Sequence, residues 1–209
     1  MKFEGFTEKD FQVFTIEGLD ARMSAIQERI QPKFREIGDI LQMELSAHVG
    51  SEMFLHIAKH ARRTVNPPND TWLAIGPNKR GYKKYPHFQV GLFDDHVFLW
   101  LAYIYELPNK TQIAQNFLNH LDEIEKLVPK DYVVSVDHTQ KNAKPISEIS
   151  LEEVLTRFKN VKKAEFLIGR NIAKDDPLLT DGEKFIDFTV DTFKRLVPLY
   201  KMSYTGELV

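Results

Sequence analysis

The sequence FQVGLFDDHVFLWLAYIY, residues 88–105, decides the fold class. Two runs rich in aromatic and β-branched residues, 88–93 and 97–105, flank the polar triplet Asp94-Asp95-His96. Residues of these types favour extended strands, and a short polar break between two such runs is typical of a hairpin. The stretch therefore predicts two neighbouring antiparallel strands.

Two further strands are predicted on the N-terminal side of this hairpin. Residues 51–58 place Met53, Leu55 and Ile57 at every second position, which is typical of a half-buried strand, although a helix over 51–60 remains an alternative. Residues 71–75 predict another strand, because the turn-forming stretch 66–70 precedes them and glycines follow them. Four successive strands without an intervening helix indicate an antiparallel meander.

Helical spacing of apolar residues predicts most of the remaining elements. The spacing covers 20–30 and again 32–47. Pro32 is expected to interrupt the first stretch and to be tolerated as the start or a kink of the second. After the meander the pattern predicts a helix over 109–127, a strand over 132–136, a helix over 150–159, a strand over 165–172 and a helix over 181–200. The sequence thus predicts an α+β fold: a helical N-terminal region, a four-stranded antiparallel meander, then αβαβα on one compact core.

Length and composition limit the class of protein. The 209 residues predict a single α+β domain over 1–203 and a flexible tail over 204–209. The absence of cysteine excludes disulfide scaffolds, cysteine-rich zinc sites, iron–sulfur clusters and thiol nucleophiles. The longest apolar run has nine residues, 97–105, whereas a membrane span needs about 20, and the first residues do not resemble a signal peptide. We therefore expect a cytoplasmic bacterial protein, a monomer or weak homodimer, with no membrane contact.

The most asymmetric charge lies in residues 59–87. Seven Lys or Arg face one acid, Asp70, so this segment carries +6 while the whole chain carries −2 and the other 180 residues carry −8. Aromatic residues and histidines interleave with the charges, a mixture that holds phosphates through charge and bases through stacking. A solvated basic edge of a sheet is the alternative. The candidate ligand-binding residues are Lys59, His60, Arg62, Arg63, Trp72, Lys79, Arg80, Tyr82, Lys83 and His87.

An anionic ligand is the first functional hypothesis: a nucleotide, a phosphorylated small molecule or a nucleic acid. The prolines in 66–69 hold the chain rigidly, so Arg62, Arg63 and Trp72 are expected to keep one geometry. Arg62 and Arg63 would meet the loop cations at one end of the sheet only if the strand lengths allow it. These loop cations are Lys79, Arg80, Lys83 and Lys84. Alternatively, Arg62 and Arg63 would be neutralised by acids such as Glu52 or Glu106.

Two other functional classes remain open. One is a hydrolase or transferase acting on a phosphorylated substrate, with His60, His87 and the pair Asp137-His138 as acid–base candidates. The other is a protein-interaction module that uses the aromatic hairpin 93–105. The overall charge of −2 argues against tight nonspecific binding of duplex DNA.

Three partial motifs do not meet the chemical requirements of the sites that they resemble. The glycines of 76–81 are spaced as in a P-loop, but Tyr82-Lys83 replaces the required Lys and Ser or Thr. Residues 80–84 begin like an RNA-recognition motif, but Lys83-Lys84 replaces the small and aromatic residues that must follow. His56 and His60 could share a metal on a helix, but not on a strand, where four residues span roughly 13 Å. No metal or cofactor is predicted.

A family resemblance rests on the basic segment. The run AKHARRTVNPPNDTW, residues 58–72, followed by Arg80-Gly81-Tyr82-Lys83 and Pro86-His87-Phe88, resembles the uncharacterised YktB-type proteins of Bacillus-like bacteria. The resemblance spans nearly the whole chain. It implies a compact cytosolic α/β protein from a family without an assigned reaction, so it assigns no catalytic residue.

Overall fold

A computed structural model describes residues 2–204. The strands are β1 (Phe54–Ile57), β2 (Thr71–Gly76), β3 (His87–Leu92), β4 (His96–Tyr103), β5 (Val133–Ser135), β6 (Lys144–Pro145) and β7 (Phe166–Ala173). Within the described residues they form one seven-stranded sheet in the order β1-β2-β3-β4-β7-β5-β6, and every pair is antiparallel. The helices are α1 (Glu8–Phe11), α2 (Leu19–Ala25), α3 (Gln31–Val49), α4 (Lys110–Asn119), α5 (Leu121–Leu127), α6 (Leu151–Asn160) and α7 (Gly182–Met202). The α+β fold with a helical N-terminal region is confirmed.

The predicted meander consists of β1 to β4. The hairpin register pairs Leu92 with Val97 and His87 with Ala102, so the polar break at 94–95 is the turn between β3 and β4. The choice between strand and helix for 51–60 is settled as a strand, β1. All eight residues of β4 are buried, because β3 and β7 cover its two edges and both faces of the sheet are covered there. The protein-interaction hypothesis for 93–105 stays a prediction, because Asp95 and Tyr105 of that stretch are exposed although β4 itself is buried.

Pro32 lies at the start of α3, as the sequence allowed, but the chain does not leave the helical conformation there. The chain remains helical from α2 through a π-helical turn, Ile26–Ile30, into α3, where Pro32 occupies the first turn. Proline has no N–H and its ring clashes with the carbonyl four residues earlier in a regular α-helix. The widened turn just before Pro32 relieves that clash, so the helix continues. The helix expected over 109–127 does break, at His120, between α4 and α5.

The two faces of the sheet are covered differently. Helices α3 and α7 pack against one face, which we call the helix-covered face, where alternate strand residues such as Leu73, Phe88, Leu101 and Phe166 join the main apolar core. The opposite residues form a smaller cluster on what we call the loop-covered face: Phe93, Phe98, Trp100, Ala102, Ile104 and Leu167, with Trp72, Val133 and Ala143 against them. The segments 77–86 and 136–143 lie against this second face through Tyr82 and His138.

Two glycines allow close packing on the loop-covered face. A Cβ at Gly91 would lie 2.2 Å from the ring of Phe98, and a Cβ at Gly169 would lie 1.9 Å from the carbonyl oxygen of Leu99. Real Cβ atoms do not approach other atoms so closely. Glycine at these positions lets the Phe98 ring lie on β3 and lets β7 approach β4.

The main apolar core includes residues from Phe3 near the start of the chain to Tyr200 in α7. Tyr204, assigned to the tail from the sequence, packs its ring 5.2 Å from that of Tyr200. The rest of the predicted tail, 205–209, lies outside the described residues. Among residues 2–204, no helix is both long enough and apolar enough to span a bilayer.

Candidate functional site

The basic segment contains two loops that leave opposite ends of β2. The pairing of Ile57 with Leu73 places the 58–70 loop at the N-terminal end of β2, and the pairing of Phe54 with Gly76 places the 77–86 loop at the other end. The second loop then folds back over the sheet, because Trp72 Nε1 donates a hydrogen bond of 2.9 Å to Tyr82 Oη. This fold-back brings part of the second loop near the start of the first.

A cleft opens between β1 and the folded-back loop. Its volume is about 740 Å³, within the range of about 300–1,000 Å³ typical of small-molecule sites. Four cationic side chains line it, together with two tyrosines, a histidine and one acid. We call this set the basic cleft, and its polar and aromatic members are His56, Lys59, Asn78, Arg80, Tyr82, Lys83, Lys84, Tyr85 and Glu106.

The charges of the basic cleft are mostly uncompensated. Within residues 2–204, the side chains of Lys59, Arg80 and Lys84 are exposed and make no hydrogen bond or ion pair. Lys83 Nζ lies 3.5 Å from Glu106 Oε1, a separation typical of a weak ion pair. Three cations are therefore available to an anionic group that enters the cleft.

Asn78 holds the loop that carries these cations. Its side-chain oxygen accepts a hydrogen bond of 2.8 Å from the Arg80 backbone N–H, and its amide nitrogen lies 3.3 Å from Tyr85 Oη. The backbone oxygen of Asn78 also lies 2.9 Å from His56 Nε2 on β1. Because the loop is bonded to itself and to β1, the cleft has a defined shape.

Trp72 links the basic cleft to a group of titratable side chains. Its ring lies edge-on to His60, at 5.4 Å, and to His138, at 6.3 Å. His138 Nδ1 lies 2.7 Å from Glu165 Oε2, which also accepts the His138 backbone N–H at 2.8 Å. We call Trp72, His60, Asp70, His138 and Glu165 the Trp72 cluster.

Backbone contacts fix the members of the Trp72 cluster. Glu165 is 3% exposed, and its other oxygen accepts the Tyr105 backbone N–H at 3.3 Å. The turn before it is held by Lys110 Nζ, which donates to three backbone oxygens: Val161, Lys162 and Ala164. His60 has φ of 49°, a left-handed conformation that histidine tolerates better than most residues. Backbone contacts therefore fix the Glu165 carboxylate and, through it, His138.

Burial and neighbouring charges shift the protonation of this region. Burial raises the pKa of Asp70 to about 6, although the charges of His138 and Arg63 act in the opposite direction. Burial acts to lower the pKa of His138, but the hydrogen bond and charge of Glu165, with Asp70 and Asp137, raise it above its usual value. Burial lowers the pKa of His60 to about 4, and Arg63 and Lys83 add to that effect. Shifted groups of this kind concentrate at functional sites.

The predicted binding residues do not all reach the cleft. Lys59, Arg80, Tyr82 and Lys83 line it, and His60 and Trp72 lie beside it in the Trp72 cluster.

Arg62 and Lys79 are exposed and do not line the cleft. Arg63 Nη1 lies 3.3 and 3.4 Å from the backbone oxygens of Asn66 and Pro67. Within residues 2–204 neither Arg62 nor Arg63 pairs with an acid, so the expected neutralisation by Glu52 or Glu106 is not observed.

The surroundings of His87 indicate a structural role for this residue. It is fully buried, its Nδ1 lies 2.8 Å from the Tyr85 backbone oxygen, and its Nε2 lies 2.8 Å from Gln89 Nε2. Its ring packs 4.7 Å from that of Tyr82. His87 therefore supports Tyr82 from beneath, and both of its nitrogens are occupied.

Three residues could together hold a metal ion. One ligand atom from each of Asp137, His138 and Glu165 lies within 4.8 Å of the others. A metal that used His138 Nδ1 would have to displace its hydrogen bond to Glu165. His56 and His60, the pair considered from the sequence, bond to different partners: the Asn78 backbone oxygen and Thr71 Oγ1.

The sequence interpretation missed several members of the site. Asp70 and Glu165 belong to the Trp72 cluster. The polar and aromatic cleft-lining residues absent from the predicted set are His56, Asn78, Lys84, Tyr85 and Glu106. Asp70 could have been identified from the sequence, because it is the single acid of 59–87. The sequence indicated Glu165 more weakly, as an acid at the start of an apolar strand.

Fold and site together define a class: α+β proteins whose sheet has helices on one face and a basic, aromatic cleft formed by loops on the other. The chain belongs to the family described as "Domain of unknown function (DUF1054)", whose model matches residues 6–200. It is 60% identical to a UPF0637 protein of Oceanobacillus iheyensis over 95% of this chain and 96% of that relative. It is 58% identical to a UPF0637 protein of Shouchella clausii, covering 99% of this chain and 98% of the relative.

A UPF0637 protein of Listeria welshimeri is 51% identical over 96% of this chain and 98% of the relative. These relatives confirm the resemblance to an uncharacterised family of Bacillus-like bacteria.

Proposed function

We propose that the protein binds a phosphorylated small molecule of nucleotide size in the basic cleft. The observation that carries this proposal is the set of three unpaired cations, Lys59, Arg80 and Lys84, around one small-molecule-sized opening. Lys83 adds a fourth positive charge, and Glu106 is the one acid that lines the cleft. Arginine and lysine donors of this kind favour phosphate groups.

Flat rings favour a nucleotide among phosphorylated ligands. Tyr82 and Tyr85 line the cleft beside His56, whose ring is 5.3 Å from that of Tyr82. A base that stacks on an aromatic side chain contributes about 1–3 kcal/mol. The cleft therefore offers charge for the phosphates and aromatic surface for a base.

The charge outside the basic segment favours a small ligand over a nucleic acid. The 180 residues outside 59–87 carry −8, which repels a long polyanion that extends beyond the cleft. A nucleotide confines its charge to the cleft.

The test is titration calorimetry with ATP, inorganic pyrophosphate, adenosine and a ten-nucleotide oligothymidine. The key variant combines Arg80→Ala, Lys83→Ala and Lys84→Ala. Its control combines Lys126→Ala, Lys130→Ala and Lys163→Ala, which removes the same charge from exposed lysines outside the cleft. We expect ATP to bind more tightly than pyrophosphate or adenosine, and the cleft variant to weaken ATP binding at least about tenfold, since each factor of ten is about 1.4 kcal/mol.

If the two triple variants weaken ATP binding equally, the cleft is not the binding site, and ATP binding depends on the overall charge. Tighter binding of the oligothymidine than of ATP would replace the nucleotide with a single-stranded nucleic acid.

A further inference from the structure

Two carboxylates and an imidazole converge where the 136–143 segment meets the start of β7. They belong to Asp137, His138 and Glu165, and one ligand atom of each lies within 4.8 Å of the other two. Among the described residues, no other group of three such side chains meets this condition. Imidazole nitrogen and carboxylate oxygen are common ligands of divalent metal ions in proteins.

A turn brings the first two of these side chains together. Neighbouring side chains point in opposite directions along a strand, but Asp137 and His138 follow β5 in a turn. The Gln140 backbone N–H closes this turn on the Asp137 backbone oxygen at 3.2 Å, and Ser135 Oγ donates to the same oxygen at 3.0 Å. The backbone geometry of the two residues is therefore fixed by local hydrogen bonds.

The two oxygens of the Asp137 carboxylate have different surroundings. Oδ1 accepts the Thr139 backbone N–H at 2.9 Å and the Thr139 hydroxyl at 2.7 Å. Within residues 2–204, Oδ2 accepts no hydrogen bond. Thr139 therefore orients the carboxylate and leaves one oxygen available to a metal ion.

The distance between the other two ligand groups is close to that of a coordination sphere. His138 Nδ1 lies 2.7 Å from Glu165 Oε2, and the rest of the Glu165 carboxylate is held by the Tyr105 backbone N–H at 3.3 Å. A divalent ion binds such atoms at about 2.0–2.2 Å, so two of its ligand atoms at a tetrahedral angle lie roughly 3.4 Å apart. Insertion of an ion in place of the shared proton therefore requires Nδ1 and Oε2 to separate by less than about 1 Å.

The charge of this group also favours a dication. Asp137 and Glu165 carry two negative charges, and among residues 2–204 neither forms an ion pair with a lysine or an arginine. Glu165 is 3% exposed, and a buried carboxylate requires compensation. Asp70, which is 7% exposed, adds negative potential, because its charge acts on that of His138. A protonated His138 balances one of the two charges, whereas a divalent ion balances both.

We propose that Asp137, His138 and Glu165 bind one divalent transition-metal ion, such as Zn²⁺ or Mn²⁺, through Asp137 Oδ2, His138 Nδ1 and Glu165 Oε2. The imidazole selects transition metals, whereas Mg²⁺ and Ca²⁺ prefer oxygen ligands alone. Asp137 and His138 are partly exposed and Glu165 is buried, so the ion enters from the side of Asp137. None of the three residues lines the basic cleft, and the proposal is independent of nucleotide binding.

The experiment is titration calorimetry of the full chain, freed of metal with EDTA and dialysed, with ZnCl₂, MnCl₂ and MgCl₂. The site variant combines Asp137→Asn, His138→Gln and Glu165→Gln. Its control combines Asp122→Asn, His120→Gln and Glu123→Gln, which removes the same residue types from exposed positions. We expect one Zn²⁺ per wild-type chain, weaker Mn²⁺ binding and the weakest binding for Mg²⁺. The site variant should bind Zn²⁺ at least about 100-fold more weakly, and the control should be unchanged.

Asp137→Asn alone keeps the test valid if loss of Glu165 disturbs the fold. Asparagine retains the oxygen that accepts from Thr139 but loses the negative charge. This variant should unfold at the wild-type temperature without metal and bind Zn²⁺ at least about tenfold more weakly. Nuclear magnetic resonance then locates the ion, because bound Mn²⁺ should broaden the imidazole signals of His138 before those of the exposed His120.

Four outcomes would overturn the inference. The first is the absence of Zn²⁺ and Mn²⁺ binding tighter than about 1 mM. The second is unchanged Zn²⁺ binding by a folded Asp137→Asn variant, and the third is Mn²⁺ broadening centred on another histidine. The fourth is Mg²⁺ binding as tight as Mn²⁺ binding, which would show that the imidazole is not a ligand. ATP binding measured without metal tests the basic cleft separately, so failure of either proposal leaves the other intact.

Discussion

The two faces of the sheet carry different kinds of side chain: the helix-covered face is apolar, and the loop-covered face also carries titratable groups. On the helix-covered face, Tyr103 packs against Phe117, Phe158 and Phe166 at ring distances of 5.2–6.4 Å. On the loop-covered face, aromatic rings such as Trp72 and Tyr82 contact histidines and hydrogen-bond to each other. The same strands supply both sets of residues, because successive side chains point to opposite faces. One face is therefore free to carry titratable groups while the other holds the fold.

The largest expected effect comes from removing a ring from the helix-covered face. Phe166→Ala should lower the free energy of unfolding by about 3–5 kcal/mol, because Phe166 is fully buried among Tyr103, Phe117 and Phe158. The matched change on the other face is Phe98→Ala, for which we expect a smaller loss, because loops relax into a cavity more readily than packed helices. Urea unfolding of both variants measures the difference. Equal losses would show that the two faces are equally rigid.

The second largest expected effect is a loss of stability at acid pH, caused by two histidines of the loop-covered face. The pKa values of His60 and His87 are lowered from 6.5 to about 4, so the unfolded chain binds more protons between those values and stability falls as pH falls from 6.5 towards 4. At pH 5 the loss is about 2 kcal/mol for each histidine by this linkage. His60→Gln with His87→Gln should flatten the dependence, measured by urea unfolding at pH 7 and pH 5. A wild-type stability that is the same at both pH values would contradict the shifted pKa values.

The smallest expected change in the free energy of unfolding is an increase, and it comes from replacing Asp70. The pKa of Asp70 is raised from 3.8 to about 6, so the folded protein binds more protons in that window and the contribution of Asp70 to stability falls as pH rises through it. Asp70→Asn should therefore raise the free energy of unfolding by up to about 3 kcal/mol at pH 8 and have little effect below pH 4. Thermal unfolding at both pH values is the measurement. A variant that is less stable at pH 8 would show that the ionised carboxylate is well compensated.

The sequence predicted the first half of the sheet because the information there is local. The aromatic and β-branched runs of 88–93 and 97–105 and the acidic turn between them specify β3 and β4 without reference to the rest of the chain. The place of β7 between β4 and β5 depends on contacts between distant segments, which no local pattern encodes. The π-helical turn before Pro32 was missed for a related reason, because packing overrides the expected break.

The sequence predicted several residues of the candidate site, but it did not predict how they are arranged. Charge counting along 59–87 identified Lys59, Arg80 and Lys83, which line the cleft. It also included Arg62 and His87, since a count cannot distinguish an exposed or buried side chain from one that lines an opening. Glu165 lies 27 residues from its partner His138, so only the pairing of β5 with β7 brings the two together.

The position of β7 has a consequence for synthesis. A growing chain can form the β1–β4 meander once about half of it has left the ribosome, but the second edge of β4 stays unpaired until Phe166–Ala173 emerges. That edge carries eight residues that are all buried in the finished protein, including Phe98 and Trp100. Unpaired apolar edges attract other chains. Ribosome-bound chains of this protein that end between β4 and β7 should therefore be the ones that need protection by chaperones.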